Sequence, residues 1–133
     1  MAINVTSLSH VGIRVHDMDR AVAFYQLLGF TKTLGPVGPE PVAFLNHPNG
    51  LEINLILNAA KADTPNPLMD VPVKEPGYTH IALWVDSVDQ AETILEDAGF
   101  PITEKMTVPS GMRAIFVRDP DRNVIELDEA PKR

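Results

Sequence analysis

Two histidines and two glutamates carry the chemistry this chain has to offer. His10 and His80 sit at the same point of two similar stretches, LSHVGIRV and YTHIALWV, and Glu52 and Glu126 each lie in an apolar closing run, LEINLIL and NVIELD. Imidazole nitrogen with carboxylate oxygen, and no sulfur, is a donor set for one divalent cation: Zn, Ni, Co, Mn or Fe. Held by His10, Glu52, His80 and Glu126, such an ion is near neutral before substrate arrives and keeps one or two positions for water or substrate oxygens. Both carboxylates are also candidate catalytic groups. Glu126 is favoured over Glu52 as a general base. A lone strand histidine is more often structural than a ligand, so the weight rests on its recurrence.

That recurrence is a duplication. Residues 8–30 and 78–100 align without a gap at an offset of 70, matching His10 with His80, Val15 with Val85, Asp19 with Asp89 and Gly29-Phe30 with Gly99-Phe100. The alignment resumes at AFLNHPNGLEI (43–53) and IFVRDPDRNVIEL (115–127), where Glu52 meets Glu126 if the second copy has a turn two residues longer. The proline-rich stretch between the copies reads as an irregular linker. The organisation is one domain over 1–133: module one at 5–58, linker at 59–76 and module two at 77–130.

Each copy reads as βαβββ, an α+β fold. The opening strands are Leu8–Val15 and Tyr78–Val85. A helix follows each, capped by Asp17 in the first copy and by a Ser87/Gln90 capping box in the second. The apolar stripes are Ala21, Phe24, Tyr25 and Leu28, then Val88, Ala91, Leu95 and Ala98. Gly29 and Gly99 fall where a left-handed C-terminal cap belongs. Further strands are expected at about 30–35, 41–46 and 51–57, and at about 102–107, 112–118 and 123–128. The last two strands of each copy form a hairpin, turning at Pro48-Asn49-Gly50 and at Pro120-Asp121-Arg122-Asn123.

Strand period two then sorts the side chains. Val11, Ile13 and Val15 share one face, and His10, Gly12 and Arg14 the other. Ile81, Leu83 and Val85 likewise oppose His80, Ala82 and Trp84. Leu51, Ile53, Leu55 and Leu57 oppose Glu52, Asn54 and Ile56, and Ile125 and Leu127 oppose Val124, Glu126 and Asp128. With the apolar faces under the helices, both histidines and both glutamates point away from them. A carboxylate on an inner face wants a cation, because burying it unpaired is expensive.

Composition narrows the partners. The chain of 133 residues is 44% hydrophobic, 22% charged and carries a net charge of -7. That is an ordinary globular domain, without the clustered cations that nucleic acid or an anionic membrane surface requires. It has no cysteine, which excludes disulfides and thiolate chemistry. No signal peptide or membrane span is read, and the expected location is cytoplasmic.

The motifs HVGIRVHDMDRAVAFYQLLGF, GYTHIALWVDSVDQAETILEDAGF and FVRDPDRNVIEL resemble the vicinal-oxygen-chelate superfamily of glyoxalases, bleomycin-resistance proteins and extradiol dioxygenases. The resemblance covers nearly the whole chain. It implies paired βαβββ modules forming a U-shaped mixed sheet around one metal, helices outside, and a homodimer. Extradiol dioxygenases and fosfomycin-resistance enzymes use two His and one Glu. Glyoxalase I, a lactoylglutathione lyase, and methylmalonyl-CoA epimerase add a carboxylate from the last strand of the first module, where this chain is expected to place Glu52. The implied reaction is lactoylglutathione lyase-like: two adjacent substrate oxygens are chelated and a proton moves by way of an enediolate. Arg14 matches an Arg that helps glyoxalase I hold the glutathione carboxylate. Where that enzyme has an Asn four residues after its first Glu, this chain has Ile56, with Asn54 and Asn58 near it.

Arg14 is thus a candidate substrate contact about 13 Å along the strand from His10, or a surface Arg paired with one of the many acids. Trp84 is a pocket wall or a core residue, and Asn54 and Ile56 are further candidate substrate contacts. His16 and His47 have no repeat partner and are taken as solvated. Three other activities stay open: a 2-acyl thioester epimerase, an Fe(II) extradiol dioxygenase, and a metal-free drug-binding resistance protein.

Overall fold

The computed structural model describes residues 1–60 and 64–132. The chain falls into two compact units, Met1–Ala60 and Lys61–Arg133. Part of the expected linker, residues 61–63, lies outside the described residues.

The first unit runs β1 (Val11–Arg14), α1 (Met18–Leu27), β2 (Thr31–Val37), β3 (Val42–Asn46) and β4 (Glu52–Ile56). The second runs β5 (His80–Trp84), α2 (Val88–Asp97), β6 (Glu104–Thr107), β7 (Arg113–Arg118) and β8 (Val124–Glu129). Each is βαβββ and forms a four-stranded mixed sheet, ordered β1-β4-β3-β2 and β5-β8-β7-β6. The first strand of each module runs parallel to the last, and the other pairings are antiparallel. The fold class is α+β. The opening strands are shorter than the apolar runs suggest, because pairing with β4 and β8 begins only at Val11 and His80.

Local chemistry explains the helices. Asp17 caps α1 by accepting from the Arg20 amide at 2.9 Å, and Ser87 Oγ accepts from the Gln90 amide at 3.1 Å at the start of α2. Past the C-caps Leu28 and Ala98, Gly29 and Gly99 take φ of 92° and 90°, the left-handed turn that ends each helix. Ala21, Phe24 and Tyr25 are fully buried, with Phe24 and Tyr25 meeting edge to face at 5.0 Å. In α2 only Val88 and Leu95 are buried. Ala98, expected in the buried stripe, is exposed, because the chain leaves the helix there for the Gly99 turn.

The helix-side faces match the period-two reading: Ile13, Val15, Ile53 and Leu55 are buried in the first unit, and Ile125 and Leu127 in the second. Glu129, on that same face of β8, accepts a hydrogen bond from the Val88 amide at 3.1 Å and so tethers the first turn of α2. Residues 64–79 contain no helix or strand, but they are held within the second unit. Arg118 grips Asp70 with two bonds of 2.8 and 2.9 Å, and Asn66 Nδ2 donates to the Arg122 carbonyl at 3.0 Å.

One expectation fails in an informative way. The hairpin turns are equally long in the two modules: Asn46 pairs with Glu52 across residues 47–51, and Arg118 pairs with Val124 across residues 119–123. The second copy has no two-residue extension. Glu52 therefore corresponds in the fold to Val124, and the counterpart of Glu126 is Asn54. The parallel pairing agrees, because Asn54 stands opposite Gly12 and Glu126 opposite Ala82, each two residues past its module's histidine.

Candidate active site

His10 and Glu52 meet on the open face of the first sheet, the face away from the helix. His10 Nδ1 lies 4.0 Å from Glu52 Oε2, and both groups are partly exposed. Ser9 Oγ lies 2.9 Å from the same ring nitrogen. The other oxygen of Glu52 accepts from Asn46 Nδ2 at 3.2 Å, and Asn46 Oδ1 in turn accepts from Thr33 Oγ1 at 2.6 Å.

In the second sheet His80 Nε2 lies 3.4 Å from Glu126 Oε1, and Thr79 Oγ1 lies 2.8 Å from His80 Nδ1. The hydroxyl holds one ring nitrogen and leaves the other facing the carboxylate, the arrangement that orients an imidazole for a ligand. Ser9 and Thr79 precede their histidines in both copies. That shared hydroxyl is a sequence signal for them which the motif reading passed over.

Glu126 is the more perturbed carboxylate. Burial, then a hydrogen bond with the Asp128 carboxyl, then the charge of Asp128 push its pKa up to about 7. Asp128 lies on the same face two residues on, and it is only 8% exposed. Its Oδ1 has no hydrogen-bond partner among the described residues. Asn54 is likewise 8% exposed with an unpartnered Oδ1. A buried polar atom without a partner costs about 1–3 kcal/mol, so these two oxygens are poised for something else to satisfy them.

Donor atoms about 2.1 Å from one ion stand about 3.0–3.4 Å apart. The His80–Glu126 pair fits that spacing, and His10–Glu52 is somewhat wide of it. The donors are nitrogen and oxygen only, which suits a borderline or hard divalent metal. The expected ligands thus come together as two pairs, one per module. Among the described residues no three His, Asp or Glu side chains form a cluster able to hold an ion.

The expected substrate contacts are distributed as follows. Arg14 is engaged, its Nε donating to Asn58 Oδ1 at 2.8 Å and its guanidinium lying 3.3 Å from Glu40 Oε1, while Asn58 Nδ2 also donates to Glu40 at 3.0 Å. The bonds from Asn58 and Arg14 hold the Glu40 carboxyl below its usual pKa. Trp84, the sole tryptophan, is 69% exposed on the open face, so it is not a core residue. Its register partner on β8 is Asp128. Ile56 is half-buried opposite Arg14. His16 is exposed, with Nδ1 lying 3.0 Å from the Ala59 carbonyl oxygen. His47 is only half exposed: its ring meets Phe30 edge to face at 5.1 Å, in the space that Gly29 leaves open.

The sequence model of the Glyoxalase/Bleomycin resistance protein/Dioxygenase superfamily matches residues 7–127, nearly the whole duplicated unit. The chain belongs to this superfamily. Within the glyoxalase/bleomycin-resistance/dioxygenase superfamily, it is 32% identical over 130 residues to a glyoxalase domain-containing protein of Mycosarcoma maydis, covering 94% of this chain and 69% of that one. It is 33% identical over 129 residues to a lactoylglutathione lyase of Haemophilus influenzae, covering 90% of each. It is also 28% identical over 127 residues to the metallothiol transferase FosB of Shouchella clausii, covering 92% of this chain and 80% of that one.

Two solved structures share the superfamily fold. A glyoxylase/bleomycin resistance protein/dioxygenase domain from Frankia superposes with a TM-score of 0.81 at 23% identity, covering 97% and 95% of the two chains. A fosfomycin resistance protein of Listeria monocytogenes, in complex with Mn(II) and a dihydroxypropylphosphonic acid, superposes with a TM-score of 0.74 at 21% identity, covering 96% and 94%. Among the described residues, no helix is long and apolar enough to cross a membrane.

Proposed function

We propose that this protein is a divalent-metal-dependent enzyme that moves a proton between neighbouring carbons of a small substrate, in the manner of a lactoylglutathione lyase. The observation that carries the reading is Glu126, a carboxylate beside His80 with a pKa pushed up to about 7. A carboxylate whose burial raises its proton affinity is placed to accept and return a proton. The 33% identity to a lactoylglutathione lyase over nine-tenths of both chains supports the same reaction.

The metal would be held by His10, His80 and Glu126 with one oxygen donor from β4, either Glu52 as the sequence suggests or Asn54 as the register suggests. When bound, it supplies Lewis-acid stabilisation of negative charge on adjacent substrate oxygens. The chain's own residues do the rest. Glu126 takes the proton from the substrate carbon, which becomes an enediolate, and returns it to the next carbon. Burial and Asp128 raise its proton affinity in the metal-free chain. Ser9 and Thr79 fix the ring orientation of His10 and His80. Trp84, Ile56 and the Arg14 guanidinium are the surfaces offered to the remainder of the substrate. A homodimer in the cytoplasm is the assembly and place that go with this reading.

A second reading has a specific observation behind it. With Asn54 where a second carboxylate is expected, the donor set approaches two His and one Glu, and the likeness to the metallothiol transferase FosB favours thiol transfer to a fosfomycin-like substrate. Metal-loaded protein should be assayed with methylglyoxal plus glutathione, with a 2-methyl-3-oxo thioester, with a catechol, and with fosfomycin plus a thiol. Turnover of the first mixture, lost in Glu126→Gln while metal still binds, is expected. Retained turnover in Glu126→Gln would remove the base from the scheme, and turnover of fosfomycin alone would replace the first reading by the second.

A further inference from the structure

We infer that Asn54, not Glu52, is the first module's oxygen donor to the metal, through its side-chain carbonyl Oδ1. The inference rests on the metal-dependent reading above and specifies its donor set. Three observations carry it.

The first is register. Asn54 sits at the position of Glu126: both are the third residue of the hairpin's closing arm, opposite Phe44 and Phe116 respectively. Both also stand opposite a small residue of the module's opening strand, Gly12 and Ala82. Glu52 sits one row earlier, at the position of Val124, an apolar residue with nothing to offer an ion.

The second is satisfaction. Asn54 Oδ1 is buried and makes no hydrogen bond among the described residues, whereas Glu52 is half-buried and already accepts from Asn46. A cation on the open face would satisfy the orphan oxygen. Glu52 has no such orphan: its Oε1 has Asn46 as donor and its Oε2 faces His10 Nδ1 at 4.0 Å.

The third is space. A Cβ added at Gly12 would meet nothing nearer than Ile56 Cδ1 at 3.5 Å. Gly12 stands opposite Asn54, so the opening strand puts no side chain beside the amide. An amide oxygen is a neutral hard donor, suited to the same divalent metals as a carboxylate. The set becomes two imidazoles, one carboxylate and one amide, one negative charge fewer than the sequence suggests.

The test is metal affinity in metal-stripped full-length protein, using Co²⁺ as the probe, with calorimetry and the visible absorption of the bound ion as readouts. Asn54→Ala is expected to weaken Co²⁺ binding about 10–100-fold and to alter the absorption band. Glu52→Ala should change affinity less than about threefold, and Asn54→Glu, restoring a charged donor, should tighten it. Urea midpoints of all variants establish that each is folded, and Asn54→Leu provides a near-isosteric replacement without a donor atom if Asn54→Ala is not. Loss of binding in Glu52→Ala with none in Asn54→Ala or Asn54→Leu would overturn the inference and leave the enzyme reading standing. Failure of the unaltered protein to bind Co²⁺ would overturn both.

Discussion

Asn54 and Glu126 occupy one structural position in the two modules, although the sequence pairs Glu126 with Glu52. The duplicated fold thus places an amide in one copy and a carboxylate of raised pKa in the other. In the proposed scheme the two halves divide the labour, with one contributing a neutral oxygen and the other a proton carrier.

The raised pKa has a consequence for the metal-free protein. Glu126 titrates at about 7 in the fold and at about 4.3 in the unfolded chain. Between those values the folded state holds a proton that the unfolded state has lost, so stability falls as pH rises from about 4 to about 7. Urea midpoints across that range should show the decline, and Glu126→Gln should flatten it. Adding metal at pH 6 should expel the proton, measurable as acid release into weak buffer.

The turn that sets the register of β8 is built on Asp119. Its Oδ1 accepts from the amides of Asp121 and Asn123 at 2.8 and 2.9 Å, and its Oδ2 from Asn123 Nδ2 at 2.9 Å. Asp119→Ala leaves these donors unmet in a part-buried turn and should cost about 1–3 kcal/mol in urea unfolding. Metal affinity should fall with it, because Glu126 is carried by the strand the turn aligns.

Gly29 and Gly99 are equivalent in sequence and conformation, yet they should not tolerate alanine equally. Either substitution places a side chain at a φ near 90°, costing about 1–2 kcal/mol. At Gly99 the new Cβ meets nothing within 4 Å, whereas at Gly29 it falls 2.6 Å from His47 Nε2. Gly29→Ala must also push that ring off Phe30. Thermal melts should rank Gly29→Ala clearly below Gly99→Ala.

Arg14 offers a kinetic prediction. Glu40 and Asn58 hold its guanidinium, so an anionic substrate group must compete for it. Removing that competition by Glu40→Gln should lower KM for the glutathione adduct about two- to fivefold, the worth of an exposed ion pair. Arg14→Ala should raise KM with kcat little changed. A KM unmoved by Arg14→Ala would make the Arg14–Glu40 contact a surface pair only.

The duplication, the helix caps and the inward faces were all legible in the residues. They follow from local rules: Asp17 and Ser87 before a helix, glycine after it, alternation along a strand. The register of the closing strand was not. Glu52 and Asn54 lie two residues apart on the same face, so a two-residue slip leaves every side chain facing as before, and alternation is blind to it. The ladder of Asn46 with Glu52 and of Arg118 with Val124 decides the matter, and no composition or period encodes that ladder. The packing of His47 is hidden for a related reason: its half-buried ring rests on Phe30, seventeen residues away in the chain.

Trp84 stands on the open face beside Asp128 as the chain's single indole. Fluorescence from this protein therefore has one source, and that source sits in the row next to the group proposed to move the proton. A molecule that settles over this part of the second sheet displaces water from the ring and shifts its emission. Candidate substrates can thus be ranked by optical titration, without a label, before any reaction has been found.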